Sequence, residues 1–119
     1  MRTMPQIRLP SRFEIWRVSL NDTQGHEQSG ERPAIVLAIH RNANVCMVIP
    51  LTGNQGTLNF PFSYGITRST TNGLTQDSVV LIYQMRCLTA SRLIQKIGVV
   101  EPHHIHAITT LLKSYLGLP

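Results

Sequence analysis

Two near-continuous apolar runs, 34–40 and 45–51, dominate the chain, and only the connector Arg41-Asn42-Ala43-Asn44 separates them. Apolar runs of that length read as strands, and a connector with this turn chemistry makes them a hairpin. Ahead of them, 13–20 alternates imperfectly. Phe13 and Ile15 share one face while Val18 and Leu20 take the other, which predicts a first strand with a bulge or strong coiling near Trp16. Residues 1–12 read as a frayed or loosely docked arm, and 21–32 as a long polar loop.

Beyond the hairpin, 52–59 carries two glycines and several amides and predicts a loop. Residues 60–64 form a short segment that Pro61 confines to a sheet edge, and 66–76 is a second long polar loop. Residues 77–88 begin as an apolar strand and then alternate, with Gln84 and Arg86 on one side and Met85 and Cys87 on the other. A helical turn at 89–92, a last strand at 94–100 and a helix over 102–116 follow. That helix has Pro102 near its start and Gly117 just past its end, with Ile105, Ile108, Leu112 and Leu116 on one face. The expected fold is mainly β with a C-terminal α-helix, a single domain over 13–119 behind the flexible arm 1–12.

Composition adds a partner class. Eleven Lys and Arg against six Asp and Glu leave a charge of +5 and a pI near 9.9, and the excess is carried almost entirely by arginine, which favours planar, bidentate phosphate contacts. Basic charge alone divides evenly between a nucleic-acid partner and plain solubility. Cys46 and Cys87 sit singly in apolar segments, without framework spacing, and read as two buried thiols in a reducing compartment. No stretch has the apolar length of a signal peptide, or the roughly 18 residues of a membrane span, so the expected location is the cytoplasm. His103, His104 and His106 lack cysteines or a carboxylate set at ligand spacing, and no metal or cofactor is expected. Trp16, on an apolar strand, reads as core or interface.

The densest chemistry lies in residues 25–34, G-H-E-Q-S-G-E-R-P-A. Two glycines enclose His26, Glu27 and Gln28, and Arg32 stands directly before Pro33. A residue before proline is biased towards extended backbone, so Arg32 already follows the strand with its guanidinium aimed by the sheet behind it. If the connector pairs His40 with Val45, Pro33 falls opposite Thr52, and Arg32 and Thr52 leave the same sheet end. In that register they point to opposite faces; a shift by one, or a bulge, puts them together.

An arginine and a hydroxyl beside Glu27 and His26 suit attack of a ribose 2′-hydroxyl on its neighbouring phosphate. That reaction needs a base for the 2′ proton, a cation for the charge on the phosphoryl oxygens and an acid for the leaving 5′ oxygen. Arg32 supplies the charge and Thr52 a hydrogen bond, while either Glu27 or His26 serves as base, or one of them as acid. The chemistry requires no metal. Gln84 and Arg86 either line an RNA groove or decorate a strand face; alternation leaves both readings open.

The stretch resembles the G-x-E-Q-x-G-x-R-P signature of the MazF/PemK toxin family, filled by Gly25, Glu27, Gln28, Gly30, Arg32 and Pro33. Flanking similarity runs from Glu14-Ile15-Trp16 through Ile49-Pro50-Leu51-Thr52 and Asp77-Ser78-Val79-Val80-Leu81 to Gln84-Met85-Arg86. The resemblance implies a small SH3-like barrel and the toxin of a type II toxin-antitoxin system. It also implies a sequence-specific, metal-independent endoribonuclease that cleaves single-stranded RNA (mRNA), works as a homodimer and is neutralised by a cognate antitoxin with a disordered acidic tail. Arg32 and Thr52 occupy the family's catalytic arginine and threonine positions. Glu27 joins them as the third catalytic candidate, with His26, Gln28, Gln84 and Arg86 as candidate RNA contacts.

Two departures stand out. A PemK-type catalytic set uses the loop histidine, here His26, with an arginine and an aspartate where this chain has Leu81 and Tyr83, which favours the Arg32 and Thr52 arrangement. The family also places glycine before the acidic residue of the first strand, and here that position is Phe13. The alternative reading is a non-catalytic binding module on the same fold, like the CcdB relatives that act on gyrase.

Overall fold

The computed structural model describes residues 9–20 and 30–119, and the two apolar runs stand at its centre as β2 (Glu31–His40) and β3 (Val45–Thr52). They pair antiparallel from His40 opposite Val45, and the connector closes with Asn44 at a left-handed φ of 56°, which asparagine tolerates. β1 (Glu14–Ser19) lies along the other side of β2, with β7 (Leu93–Val99) outside it. The start of β3 pairs with β6 (Arg86–Thr89) and its end with β5 (Ser78–Leu81), while β4 (Ser63–Ile66) flanks β5 as an edge strand. The helix α1 (Pro102–Leu116) ends the fold, stopped by Gly117 at φ 69°.

Both faces of the central hairpin are apolar because each faces its own core. Ile15, Ile35, Ile49 and Leu51 pack with Val100 and with Ile108 of α1. Trp16, Val18, Ala34, Val36, Cys46 and Val48 form the second cluster with Leu88. Between Val36 and Ala38 the β2–β3 register slips. There the faces exchange: Leu37 still packs on the first core and Ile39 on the second. Full burial of a side chain such as Ile49 contributes about 1.5–3 kcal/mol, so this register is strongly specified. The expected irregularity of β1 is present, with register shifts against β7 on both sides of the Trp16-Arg17 pair.

The sheet is not closed. Among the described residues its path runs β4-β5-β3-β2-β1-β7, and the end strands do not pair. Residues 67–77 span the gap instead, and the Val99 N–H donates to the Thr71 carbonyl over 3.0 Å. Asn72, fully buried, holds this loop: its Oδ1 accepts from the N–H groups of Ser69 and Leu74, and its Nδ2 donates to the Thr67 carbonyl and to Glu101 at the foot of α1. Gly73 lies so close to β7 at φ 69° that a Cβ would run into the Ile97 carbonyl.

Several expectations are corrected. Residues 77–88 are not one strand. Leu51 faces Val80 and Val48 faces Arg86, so three steps along β3 match six along its partner. The 3₁₀ turn Ile82–Gln84 takes up the difference, anchored by fully buried Ile82, whose N–H donates to the Phe62 carbonyl. Gln84 and Arg86 therefore do not share a strand face by simple alternation. Cys46 is buried, but Cys87, on the other side of β6 from Leu88, is exposed; both are free thiols. The edge segment lies at 63–66 rather than 60–64, because Phe62 takes φ 60° before pairing begins. On α1, Ile105, Ile108 and Leu112 face the core while Leu116 is exposed, one turn beyond the sheet.

The arm and the first strand meet at Glu14. Its carboxylate accepts from the Ser11 N–H at 2.8 Å and the Trp16 Nε1 at 3.0 Å, and pairs with Lys96 at 2.9 Å. Trp16 is thus a core residue with its polar atom satisfied. The described end of the arm is docked here, with Pro10 buried. Phe13, standing where the resembled family has glycine, takes φ 66°, a conformation uncommon for a bulky side chain.

Candidate active site

The end of the β2–β3 hairpin opens into a cleft of about 210 Å³. Arg32 enters it from the start of β2, directly before Pro33, and Thr52 from the end of β3. Continuing the register of Ala34 opposite Pro50 by two residues brings Arg32 level with Thr52. Paired residues share a face, and both fall on the side of Val18, which stands opposite Arg32 on β1. In that continuation the bulge puts on one face the two groups that an unbroken hairpin would set apart, and both line the cleft.

Thr52 is only 6% exposed. Its Oγ1 accepts the Asn54 N–H at 3.2 Å, which fixes the side chain and leaves the hydroxyl hydrogen to donate to a bound oxygen. Asn54 in turn caps the 3₁₀ turn Gln55–Asn59 through the Gly56 N–H. The opposite wall comes from the loop that Asn72 holds: Gly73, Leu74, Thr75 and Gln76 all line the cleft. Gln76 lies over Gly53, where an added Cβ would collide with its amide. The Gln55 side chain donates to the Asp77 carbonyl at 2.9 Å and joins the two loops.

Glu27, His26 and Gln28 lie outside the described residues. The flanks of their loop are fixed: the Leu20 N–H donates to the Gly30 carbonyl at 2.9 Å, so the segment leaves and returns beside the cleft, one residue before Glu31. Glu31 opens β2 and is exposed on the cleft rim. Gln84 and Arg86 do not line the cleft. They sit on the turn after β5 and on β6, and Arg86 faces Val48, four residues before Thr52.

Polar lining residues that were not site candidates include Arg17, Thr75, Gln76 and Ser78. Arg17 left a signal, since it is the charged residue that spoils the alternation of β1. Thr75 and Gln76 left none, because their place depends on how the second loop folds across the sheet, while Ser78 opens β5 within the segment that carries the resemblance. His104 has a partner of its own, with the Tyr64 hydroxyl 2.6 Å from its Nδ1. Burial, helped by His103, holds His104 below the ordinary histidine value, and burial also pushes Tyr64 up. Both shifts favour the neutral forms, a phenol hydrogen-bonded to an uncharged imidazole. Among the described residues no three His, Cys, Asp or Glu side chains converge as a metal site. No described helix is long and apolar enough to cross a membrane.

A family model described as PemK-like, MazF-like toxin of type II toxin-antitoxin system matches residues 11–116. The endoribonuclease MazF9 of Mycobacterium tuberculosis is 33% identical over 115 residues, covering 90% of this chain and 96% of its own. The endoribonuclease MazF of Staphylococcus saprophyticus is 26% identical over 110 residues, covering 90% and 91%. Among solved structures, MazF of Deinococcus radiodurans superposes with a TM-score of 0.80 at 22% identity, covering 94% of this chain and all of that one. A mycobacterial endoribonuclease in complex with its cognate antitoxin gives 0.72 at 24% identity, covering 93% and 98%. The structural likenesses establish that the open sheet with one C-terminal helix is the fold of these proteins.

Proposed function

The chain belongs to the PemK-like, MazF-like toxins of type II toxin-antitoxin systems and is an endoribonuclease, and we propose that its active site is the cleft between Arg32 and Thr52. The observation that supports this reading is the register slip after Val36, whose continuation puts Arg32 and Thr52 on one face, together with the lining of one cleft by both residues. The substrate is single-stranded RNA, mRNA in the cell, cut at a preferred sequence. The cytoplasm is where such a substrate is met.

In this reading the scissile phosphate lies between Arg32 and Thr52. A base takes the 2′ proton, the 2′ oxygen bonds to phosphorus, and the P–O5′ bond breaks as an acid protonates the leaving oxygen. Arg32 stabilises the charge that builds on the phosphoryl oxygens, and the Thr52 hydroxyl donates to one of them. Glu27 or His26, on the loop that returns at Gly30, supplies the base, and His26 and Gln28 touch the RNA. Gln84 and Arg86 belong to the same proposal as outer contacts beyond the cleft. No step uses a metal.

The protein acts as a homodimer, and its partner is an antitoxin that covers the RNA surface. The relatives named endoribonuclease place this above a gyrase-type binding module, which has no use for Arg32 beside Thr52. Incubating the purified protein with a long RNA in EDTA tests it: discrete cleavage products support the reading, and intact RNA at every protein concentration removes it.

A further inference from the structure

Arg17 lines the same cleft but reaches it from β1. It stands opposite Pro33, while its neighbour Val18 stands opposite Arg32. Alternation therefore sends the two guanidinium groups to opposite faces of one sheet end. Their Cα atoms are diagonal neighbours, about 5–7 Å apart.

Arg17 is half-buried. Among the described residues its side chain has neither an ion pair nor a hydrogen bond, and Glu31, the carboxylate on the same rim, does not pair with it. A partly desolvated guanidinium without a counter-ion carries a cost that a bound anion would offset. The other buried charge of β1, Glu14, is by contrast fully engaged.

Resting on the endoribonuclease reading of this cleft, we propose that Arg17 is a substrate-binding residue that holds a second RNA phosphate, distinct from the one between Arg32 and Thr52. The two cations lie on either side of the sheet end, so a strand crossing the opening places one linkage on each. Arg17 contributes to affinity and to the placement of the strand, while the bond-breaking step stays with Arg32 and Thr52.

The test uses a short RNA spanning a cleavage site mapped on a long transcript, with each non-scissile linkage replaced in turn by an uncharged methylphosphonate. Parent, Arg17→Gln and Arg17→Lys are compared, with thermal melts. Loss of one single-strand phosphate contact lowers the slope of log(kcat/KM) against log salt by about 0.7, or about fivefold in kcat/KM at 0.1 M salt. The expected loss in Arg17→Gln appears in KM with kcat unchanged. One methylphosphonate should cost the parent about as much and cost Arg17→Gln nothing further, while Arg17→Lys keeps most of the slope. The proposal falls if no linkage besides the scissile one matters to the parent. It falls equally if Arg17→Gln, melting like the parent, keeps the full salt slope, or if its losses add to those of every methylphosphonate. A parent that leaves all RNA intact overturns the endoribonuclease reading itself, a different outcome.

Discussion

Carried two residues past its last pair, Ala34 opposite Pro50, the β2–β3 register sets Arg32 level with Thr52, whereas an unbroken hairpin counted from His40 and Val45 would set it against Gly53. One slipped residue converts two groups on opposite faces into a pair. Arg32→Ala and Thr52→Ala should each lower cleavage by about 10²- to 10³-fold, the usual cost of removing a donor that stabilises transition-state charge. Neither should shift the melting temperature by more than a few degrees, since neither belongs to a core cluster. Equal cleavage rates in variants and parent, measured in EDTA, would show that neither residue is catalytic.

Light scattering at micromolar concentration should report a dimer. A cleft of about 210 Å³ is small against a strand of several nucleotides, and two copies set edge to edge provide a longer basic groove. Exposed apolar side chains, Phe60, Ile94 and Leu118 among them, leave surface for such a contact. A monomer that cleaves RNA at full rate contradicts this.

Much of this fold was legible because its strongest signals are local. The runs 34–40 and 45–51, the turn residues between them and the proline and glycine that bound α1 each act within a few residues, and the structure places all of them as expected. What could not be read depends on distant partners. The break at Ile82–Gln84 exists because β3 pairs with two segments whose registers differ by three residues, and neither segment shows this alone. The same holds for the site. That Arg32 and Thr52 line one cleft needed only the hairpin end, whereas Gln76 arrives through a loop that Asn72 and Glu101 fold across the gap in the sheet.

Asn72 should be the costliest polar residue of that loop to lose. It is fully buried and satisfies the N–H groups of Ser69 and Leu74, the Thr67 carbonyl and Glu101. Asn72→Ala leaves several of these without partners, and about 2–3 kcal/mol is expected for buried groups of this kind. Urea unfolding measures it. A midpoint equal to the parent's would show that the network does not hold the fold.

Stability should fall in two stages as pH drops from 8. Burial and His103 hold His104 below the ordinary value of 6.5, so the unfolded chain takes up that proton first and stability declines from about pH 6.5 downwards. For Glu14, burial works towards a higher value, but its contacts to Ser11, Trp16 and Lys96 prevail and hold it below 4.5. The ionised carboxylate stabilises the fold fully above that value, and the contribution is lost as pH falls through the lower folded one. His104→Gln should remove the first stage and Glu14→Gln reduce the second. A melting temperature flat from pH 8 to 5 in the parent speaks against the buried, neutral His104.

The loops 53–59 and 67–76 should choose the cleavage sequence, while the strands fix where the phosphate sits. Single-stranded RNA is read through splayed bases held by side chains on loops. Here Thr52 and Gly53 form one wall of the cleft and Gly73 to Gln76 the other. The loops are coupled, since Gln55 reaches the Asp77 carbonyl and Gln76 covers Gly53, so exchanging one alone is expected to disturb both. Grafting the pair from a relative with another target, while keeping Asn72 and Gly73 so that the loop still bridges to β7, should transfer that relative's cleavage pattern. The rate at the new site should stay within about tenfold of the parent's, because Arg32 and Thr52 keep their register, and a misplacement would instead cost nearer 10²-fold. A chimera that melts like the parent yet cuts the parent's sites shows that sequence choice lies elsewhere, with the residues between Leu20 and Gly30 as the next segment to exchange.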